Sequence, residues 1–407
     1  MPLTLMKSFA AFCCLCFLAF AIGQSRAVAQ VADSIELLGV ASFAGDALDH
    51  SGLLQPMDDG TPNNCFGGIS GLEYSPRQGT FIALSDRGAR DGEVDWKCRF
   101  HTISLDFTNV SGGKIAASIQ STVMLRDWME RPFVGLATQY AADKEHGDRF
   151  DPEGVRILPN GNLLVSDEYG PHLIEFTPAG NEVRRIPLPE KLLARNLDAE
   201  KGVENKKNTR GRVCNRGMEG IAITPDGNFV VALMQSPLLQ DAIRIEKGKL
   251  LGFHTRVLKI NLETGEHQEF VYVMDHPKHK LHEILPISND EFLVLENCGE
   301  AGAEATCKIV TRIDLRGATD VSQYERLPAL NLSHYTKPVS KSVLLDLLEP
   351  QYELSQTLPE KIEGLSFGPN VNGQPTLVIA ADNDFVLEEA TKVYVFQIRG
   401  MQTASIH

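Results

Sequence analysis

Past its first 29 residues the chain has no apolar run long enough to cross a membrane, which takes about 20 residues, and no low-complexity linker. A second span and a two-part architecture are therefore not expected. Helical runs alternating with strands are also missing, which excludes a two-domain α/β enzyme. No phosphate-cradling glycine loop, dinucleotide fingerprint or basic patch occurs, so nucleotide and nucleic-acid binding have no support. Basic residues are in deficit, with 39 Lys and Arg against 53 Asp and Glu. Such a surface repels nucleic acid and anionic lipid and favours cations or neutral ligands.

What is present begins with an N-terminal export pattern. Lys7 precedes an apolar run of 14 residues, Phe9–Ile22, and Ala27-Val28-Ala29 precedes Gln30. That layout predicts a cleaved signal over 1–29, because the run is too short for an anchor. The expected mature chain, 30–407, is a single domain, periplasmic or secreted, without a membrane span. Cys13, Cys14 and Cys16 leave with the signal, and the residues before them fit a lipoprotein site poorly. Of the five cysteines left, Cys298 and Cys307 flank a short loop and are expected to bond. Cys65 pairs with either Cys214 or Cys98, and no spacing reads as a zinc site.

One phrase recurs five times: GISGLEYSPRQGTFIALSDRG (68–88), DPEGVRILPNGNLLVSDEYG (151–170), GMEGIAITPDGNFVVALMQS (217–236), LHEILPISNDEFLVLENCG (281–299) and KIEGLSFGPNVNGQPTLVIAADND (361–384). Each is a strand, a turn and a second strand, with two further strands after it, as in HLIEFTPAG and NEVRRIPL. Four-stranded repeats predict an all-β propeller. The last repeat supplies only three strands, and SIELLGVASF (34–43) reads as its fourth, closing the ring. Five blades are expected; the two longer intervals between repeats leave room for a sixth. Insertions fall at 126–150, 189–214, 237–253 and 325–360. The polar run within 189–214 reads as a mobile loop, and KSVLLDLLEP as a helix or an outer strand.

The phrases NRGMEGIAITPDG (215–227), DPEGVRILPNGNLLVSDEYGP (151–171), ISGLEYSP with LSDRG (69–88) and KIEGLSFGP with AADNDF (361–385) resemble the phytase-like family of exported bacterial proteins. That family is labelled "esterase-like activity of phytase", and the similarity runs from about 35 to 400. It implies a β-propeller in the periplasm or outside the cell. Gluconolactonase-like propellers, which hold a divalent metal on the axis, are a more distant comparison.

Glu153, Glu219 and Glu363 hold one equivalent position, each followed by glycine; Glu283 and Ser70 are read as their counterparts in the other two repeats. Glycine on an innermost strand permits close backbone approach. The glutamates then ring one mouth of the channel, where a hard divalent cation, calcium by expectation, would neutralise them. The second-strand ends add Asp86, Asp167, Glu168, Asn297, Asp382, Asn383 and Asp384. The competing reading is that these acids only cap turns. Candidate metal ligands are Glu153, Glu219, Glu363, Asp86, Asp167, Asn297 and Asp382. Candidate catalytic residues are Glu168, His172, Arg87 and Arg216, the last three orienting an anionic group. Lys361, Arg210, Arg212 and Tyr169 stand nearby. Ser70 lacks the context of a nucleophile elbow, and His276, His279 and His282 read as a solvated loop. Two functions follow: a metal-dependent hydrolase of small phosphate or carboxylic esters, or a ligand-binding scaffold with a structural cation. An open cluster of carboxylates favours the first, an apolar plug in the channel the second.

Overall fold

Each of the five phrases folds into an antiparallel four-stranded sheet, because alternating apolar residues in short runs bounded by turns can be buried only by packing sheet on sheet. A computed structural model describes residues 34–109 and 113–401; the expected signal, residues 1–29, lies outside the described residues. Counted from the axis outwards, blade one is Ile69–Ser75, Thr80–Ser85, Arg99–Leu105 and Ala117–Met124. Blade two is Pro152–Ile157, Leu163–Asp167, His172–Phe176 and Glu182–Ile186. Blade three is Met218–Ile223, Phe229–Met234, His254–Asn261 and His267–Val273. Blade four is Lys280–Pro286, Glu291–Asn297, Lys308–Asp314 and Ser340–Asp346, so KSVLLDLLEP supplies an outer strand.

Blade five takes three strands from the end of the described chain, Lys361–Val371, Gln374–Asp382 and Thr391–Arg399. Its fourth is Ser34–Phe43, antiparallel to the last of them from Ser34↔Arg399 to Phe43↔Thr391, and the three-residue strand Gly113–Ile115 adds a parallel edge outside it. The ring is closed by joining the two ends, and it has five blades. The long intervals hold packed insertions in place of a sixth: Phe133 and Phe150 stack with Phe176, and Tyr352, Leu354 and Leu358 join the blade four–five core.

Apolar side chains form five wedges, one between each pair of neighbouring blades. Nearer the axis the inner strands touch. A methyl on Gly220 would lie 2.4 Å from Glu283 Cα, and one on Gly154 2.9 Å from the Ile221 nitrogen. Only glycine allows the blades to meet so closely.

Two expectations fail. The run within 189–214 is anchored: its short helix, Lys201–Lys207, buries Glu204, which pairs with buried Arg212, whose guanidinium donates to the Tyr169 carbonyl. The cysteines are all free thiols among the described residues. Cys298 and Cys307 do face each other, Cys298 N donating to Cys307 O at 3.0 Å. The Cys298 sulfur instead accepts from the Thr306 and Cys307 amides, both at 3.3 Å. Cys65 packs with Met57, Trp96 and Phe385, the Cys98 thiol donates to the Phe150 carbonyl, and the Cys214 amide donates to Asn205 Oδ1 at 2.8 Å.

Candidate functional site

Every inner strand carries a register shift near its start, and this shift builds the site. The shifts fall between Ile69 and Gly71, Pro152 and Val155, Met218 and Ile221, Leu281 and Glu283, and Ile362 and Gly364. A bulge re-aims the extra side chain. The residues in the bulged position are Ser70, Glu153, Glu219, His282 and Glu363. The fourth member is thus His282, not Glu283, which takes the place glycine holds in the other blades. His282 is also buried, contrary to a solvated loop. The same registers define a second ring, each member following the second-strand partner of the residue before the shift (Ser85, Asp167, Met234, Glu296 and Ala381): Asp86, Glu168, Gln235, Asn297 and Asp382. Glu168 therefore occupies the ring position in blade two and Asp167 the place before it.

The first ring is tied together across blades. The Ser70 hydroxyl donates to Glu363 Oε2 at 3.1 Å. His282 Nδ1 lies 3.4 Å from Glu363 and 3.8 Å from Glu219. Gln235 Nε2 donates to Glu219. Neither nitrogen of His282 nor Oε1 of Gln235 has a hydrogen-bond partner of good geometry, although all are buried.

Burial raises all three glutamates well above the ordinary carboxyl range or close to neutrality. For Glu153 the next cause is the charge of Glu219, for Glu219 that of Glu168; Glu363 is pushed up to about 7, Lys361 opposing. Burial likewise drives His282 well below its usual value, helped by Lys280, Lys308 and Lys361, so its imidazole is neutral. No arginine or lysine forms an ion pair with Glu153, Glu219 or Glu363 among the described residues.

The neighbouring acids differ in this respect. Asp151, Glu153 and Glu168 have oxygens within 4.8 Å of one another, and so do Asp86, Asp382 and Asp384. Into the first group Arg87 inserts its guanidinium, bonded to Asp151, Glu168 and Asp91. Into the second comes Lys361, 2.9 Å from Asp382 and bonded to Asp384. Both groups already hold a cation of the protein's own. Asp167 spends its oxygens on the amides of Asp151, Tyr169 and Gly170 and on His172 Nδ1 at 2.6 Å. Asn297 donates to the Ile362 carbonyl, and Asn383 pins Gly68 and Phe385.

The expected anion-binding set is divided in the same way. Arg87 is consumed by its carboxylates, Arg212 by Glu204 and Arg210 by Glu325. Tyr169 packs, its hydroxyl donating to the Gly135 carbonyl. Arg216 makes no ion pair among the described residues; burial lowers its pKa and the Glu168 charge opposes. Lys280, half-buried, lies near enough to Glu219, Glu363 and His282 to act on all three. His282, Gln235 and Lys280 were not candidates in the sequence. Aligning the repeats on the apolar residue before the bulge (Ile69, Pro152, Met218, Leu281, Ile362) finds the first two.

Below the rings the channel is closed by Arg156. Its guanidinium donates to the carbonyls of Leu72, Val155 and Ile284 at 3.0, 2.6 and 2.7 Å and pairs with Glu283 at 2.9 Å. The plug is ionic, not apolar.

Five small sheets, each built on four antiparallel strands, around a polar axis with an acidic ring at one mouth define a five-bladed β-propeller. Within that class the chain belongs to the Phytase-like family, described as "Esterase-like activity of phytase", whose model matches residues 64–385. An uncharacterized secreted protein of Arthroderma benhamiae is 24% identical over 210 residues, 40% of this chain and 41% of that protein. The match thus spans less than half of that relative. Among solved structures, a PQQ-bound aldose sugar dehydrogenase from Streptomyces coelicolor is similar at 12% identity, 90% of this chain, 98% of that chain and a TM-score of 0.36. A putative gluconolactonase is similar at 15%, covering 91% and 93%, with a TM-score of 0.35. No helix among the described residues is long and apolar enough to cross a membrane.

Proposed function

We propose that the protein is an exported hydrolase of small phosphate or carboxylic esters, working with a hard divalent cation, calcium by expectation, at the acidic mouth. One observation carries the reading: buried Glu219 and Glu363 flank His282, and neither they nor buried Glu153 beside them is paired with a lysine or arginine among the described residues, whereas Arg87 pairs with Asp151 and Glu168 and Lys361 with Asp382 and Asp384. Carboxylates so placed must hold protons or a cation. The lone-pair nitrogen of neutral His282 and Oε1 of Gln235 supply further ligand atoms. The four first-ring side chains do not form one closed set of ligand atoms, and they suit an ion that keeps part of its water, as hard cations do. When bound, such an ion polarises an ester oxygen or activates water.

The chain's own residues then divide the work. Glu153, Glu219 and Glu363 hold the positive charge. Arg216, beside Glu168, and Lys280, near Glu219, draw in the anionic part of the substrate. Glu168 neighbours Glu219 and raises it, so a proton can reside on that pair and be moved along it. Asp167 orients His172 through Nδ1 and leaves Nε2 as the free nitrogen of a partly exposed ring.

The test is a chelator titration of wild type and Glu219→Gln, read by thermal unfolding and by hydrolysis of 4-nitrophenyl phosphate and 4-nitrophenyl acetate. Chelator should lower the melting temperature and the hydrolysis of the wild type, and change the variant much less. Cation-dependent stability without turnover of either ester would leave a ligand-binding scaffold with a structural ion. Indifference to chelator in both proteins would remove the metal from the reading.

A further inference from the structure

The channel has a second mouth, on the face where the hairpins between first and second strands turn. Below Arg156 it opens into a cavity of about 240 Å³ lined by Ile157, Ile223, Leu285, Pro159, Pro225 and Pro286, with Arg156 and Glu73 at its floor. A second cavity, of about 300 Å³, reaches the other side of Glu73 between blades one and two. The apolar walls alone would hold a small hydrocarbon, since a dry cavity of roughly 150 Å³ takes benzene. The floor is what gives the cavity a preference.

Glu73 is buried, yet its carboxylate is poorly satisfied. Its contacts are the Ile157 amide at 3.4 Å and an Arg156 nitrogen at 3.6 Å, beyond a good hydrogen bond. Arg156 spends its terminal nitrogens on four carbonyls and on Glu283, and its Nε has no partner. Glu283 Oε2 is likewise buried and unpartnered. Two carboxylates thus share one guanidinium, so the floor carries one uncompensated negative charge once both are ionised; burial pushes Glu283 up to about 8, Arg156 opposing. Burial pushes Glu73 up to about 7 against the opposing charge of Arg156. Arg77, at the rim, is exposed and screened by solvent.

We infer that this hairpin-face cavity is a binding site for a small amphipathic amine, whose ammonium group meets Glu73 while its apolar body fills the space between the isoleucines, Leu285 and the prolines. A primary ammonium brings three donors and the missing charge. The site is separated from the acidic mouth by the Arg156 plug, so it is independent of any chemistry there.

Calorimetry on the full chain with 2-phenylethylamine at pH 8, with 2-phenylethanol as the uncharged analogue, tests the inference. The amine should bind saturably and at least about tenfold more tightly than the alcohol, the minimum expected of a charge-assisted contact. Glu73→Gln should weaken the amine by about tenfold or more and leave the alcohol little changed, whereas Glu219→Gln should alter neither. Ile223→Trp, placed at the half-buried wall, should abolish both by filling the cavity, and it decides the matter if Glu73→Gln does not fold. Absence of saturable amine binding, equal affinity for amine and alcohol, or amine binding that survives Ile223→Trp would each overturn the inference.

Discussion

A single arginine without counterpart in the other four repeats holds the centre of the ring. Arg156 binds carbonyls from blades one, two, four and five and lies beside both Glu283 and Glu73, which have ion pairs with no other lysine or arginine among the described residues. Removing one partner of a buried ionic group leaves uncompensated charge, at a cost of about 3–5 kcal/mol. Arg156→Met should lower stability by that order in urea unfolding; a loss under about 1 kcal/mol would show the carboxyls to be content as neutral acids. Gly220→Ala forces a methyl against Glu283 and should cost about 1–3 kcal/mol, the usual range for overpacking. Legibility at this scale was uneven. Glu153, Glu219 and Glu363 were readable because glycine marks them. His282 was hidden because the fourth repeat has glutamate where the others have glycine, which drew the alignment one residue too far. Arg156 left no trace in the sequence, since its role is created by four strands meeting.

At the scale of elements, the terminal strand Ser34–Phe43 is the strongest test of the ring. It completes blade five and buries Ala41 and Phe43 in the wedge shared with blade one. Each fully buried apolar side chain contributes about 1.5–3 kcal/mol. Deleting 34–43 should therefore lower the melting temperature by an amount on the order of 10 °C; an unchanged melting curve would contradict closure by this strand. The strands were legible because period-two alternation and turn residues are local properties. The helix Lys201–Lys207 was not, because its polar sequence gives no apolar stripe and its anchorage rests on Glu204 meeting Arg212 and Tyr169. The thiols tell a similar story: Cys298 and Cys307 were rightly seen as neighbours, but sequence cannot say that loop amides claim the sulfur. Mapping of unreduced peptides should find both unbonded.

At the scale of the whole molecule, protons and a divalent cation should compete for the same mouth. A carboxyl whose folded pKa is raised keeps its proton in the fold while the unfolded chain loses it. Its contribution to stability is fully present below the ordinary value of 4.5 and is lost as pH rises, for Glu363 through about 7. Metal-free protein should thus become less stable between about pH 4.5 and 7, and further where Glu153 and Glu219 ionise. A bound cation reverses this, so calcium should raise the melting temperature far more at pH 8 than at pH 5. Equal stabilisation at both values would mean that the ion sits elsewhere.

Joining the first strand to the last also sets an order of events in time. Residues 34–43 leave the ribosome before any of their partners in 391–399 exist, and the contact spans 348 to 365 positions. Contacts of such sequence separation slow folding, because the closure entropy is lost before the pairing is gained. Four blades can therefore assemble while the fifth stays open, and the ring locks only when synthesis of its final strand is complete. A permuted chain whose new ends lie in the Asn160–Gly161 turn, with 399 linked to 34, would make that strand pair local. It should refold faster than the natural order to the same ring.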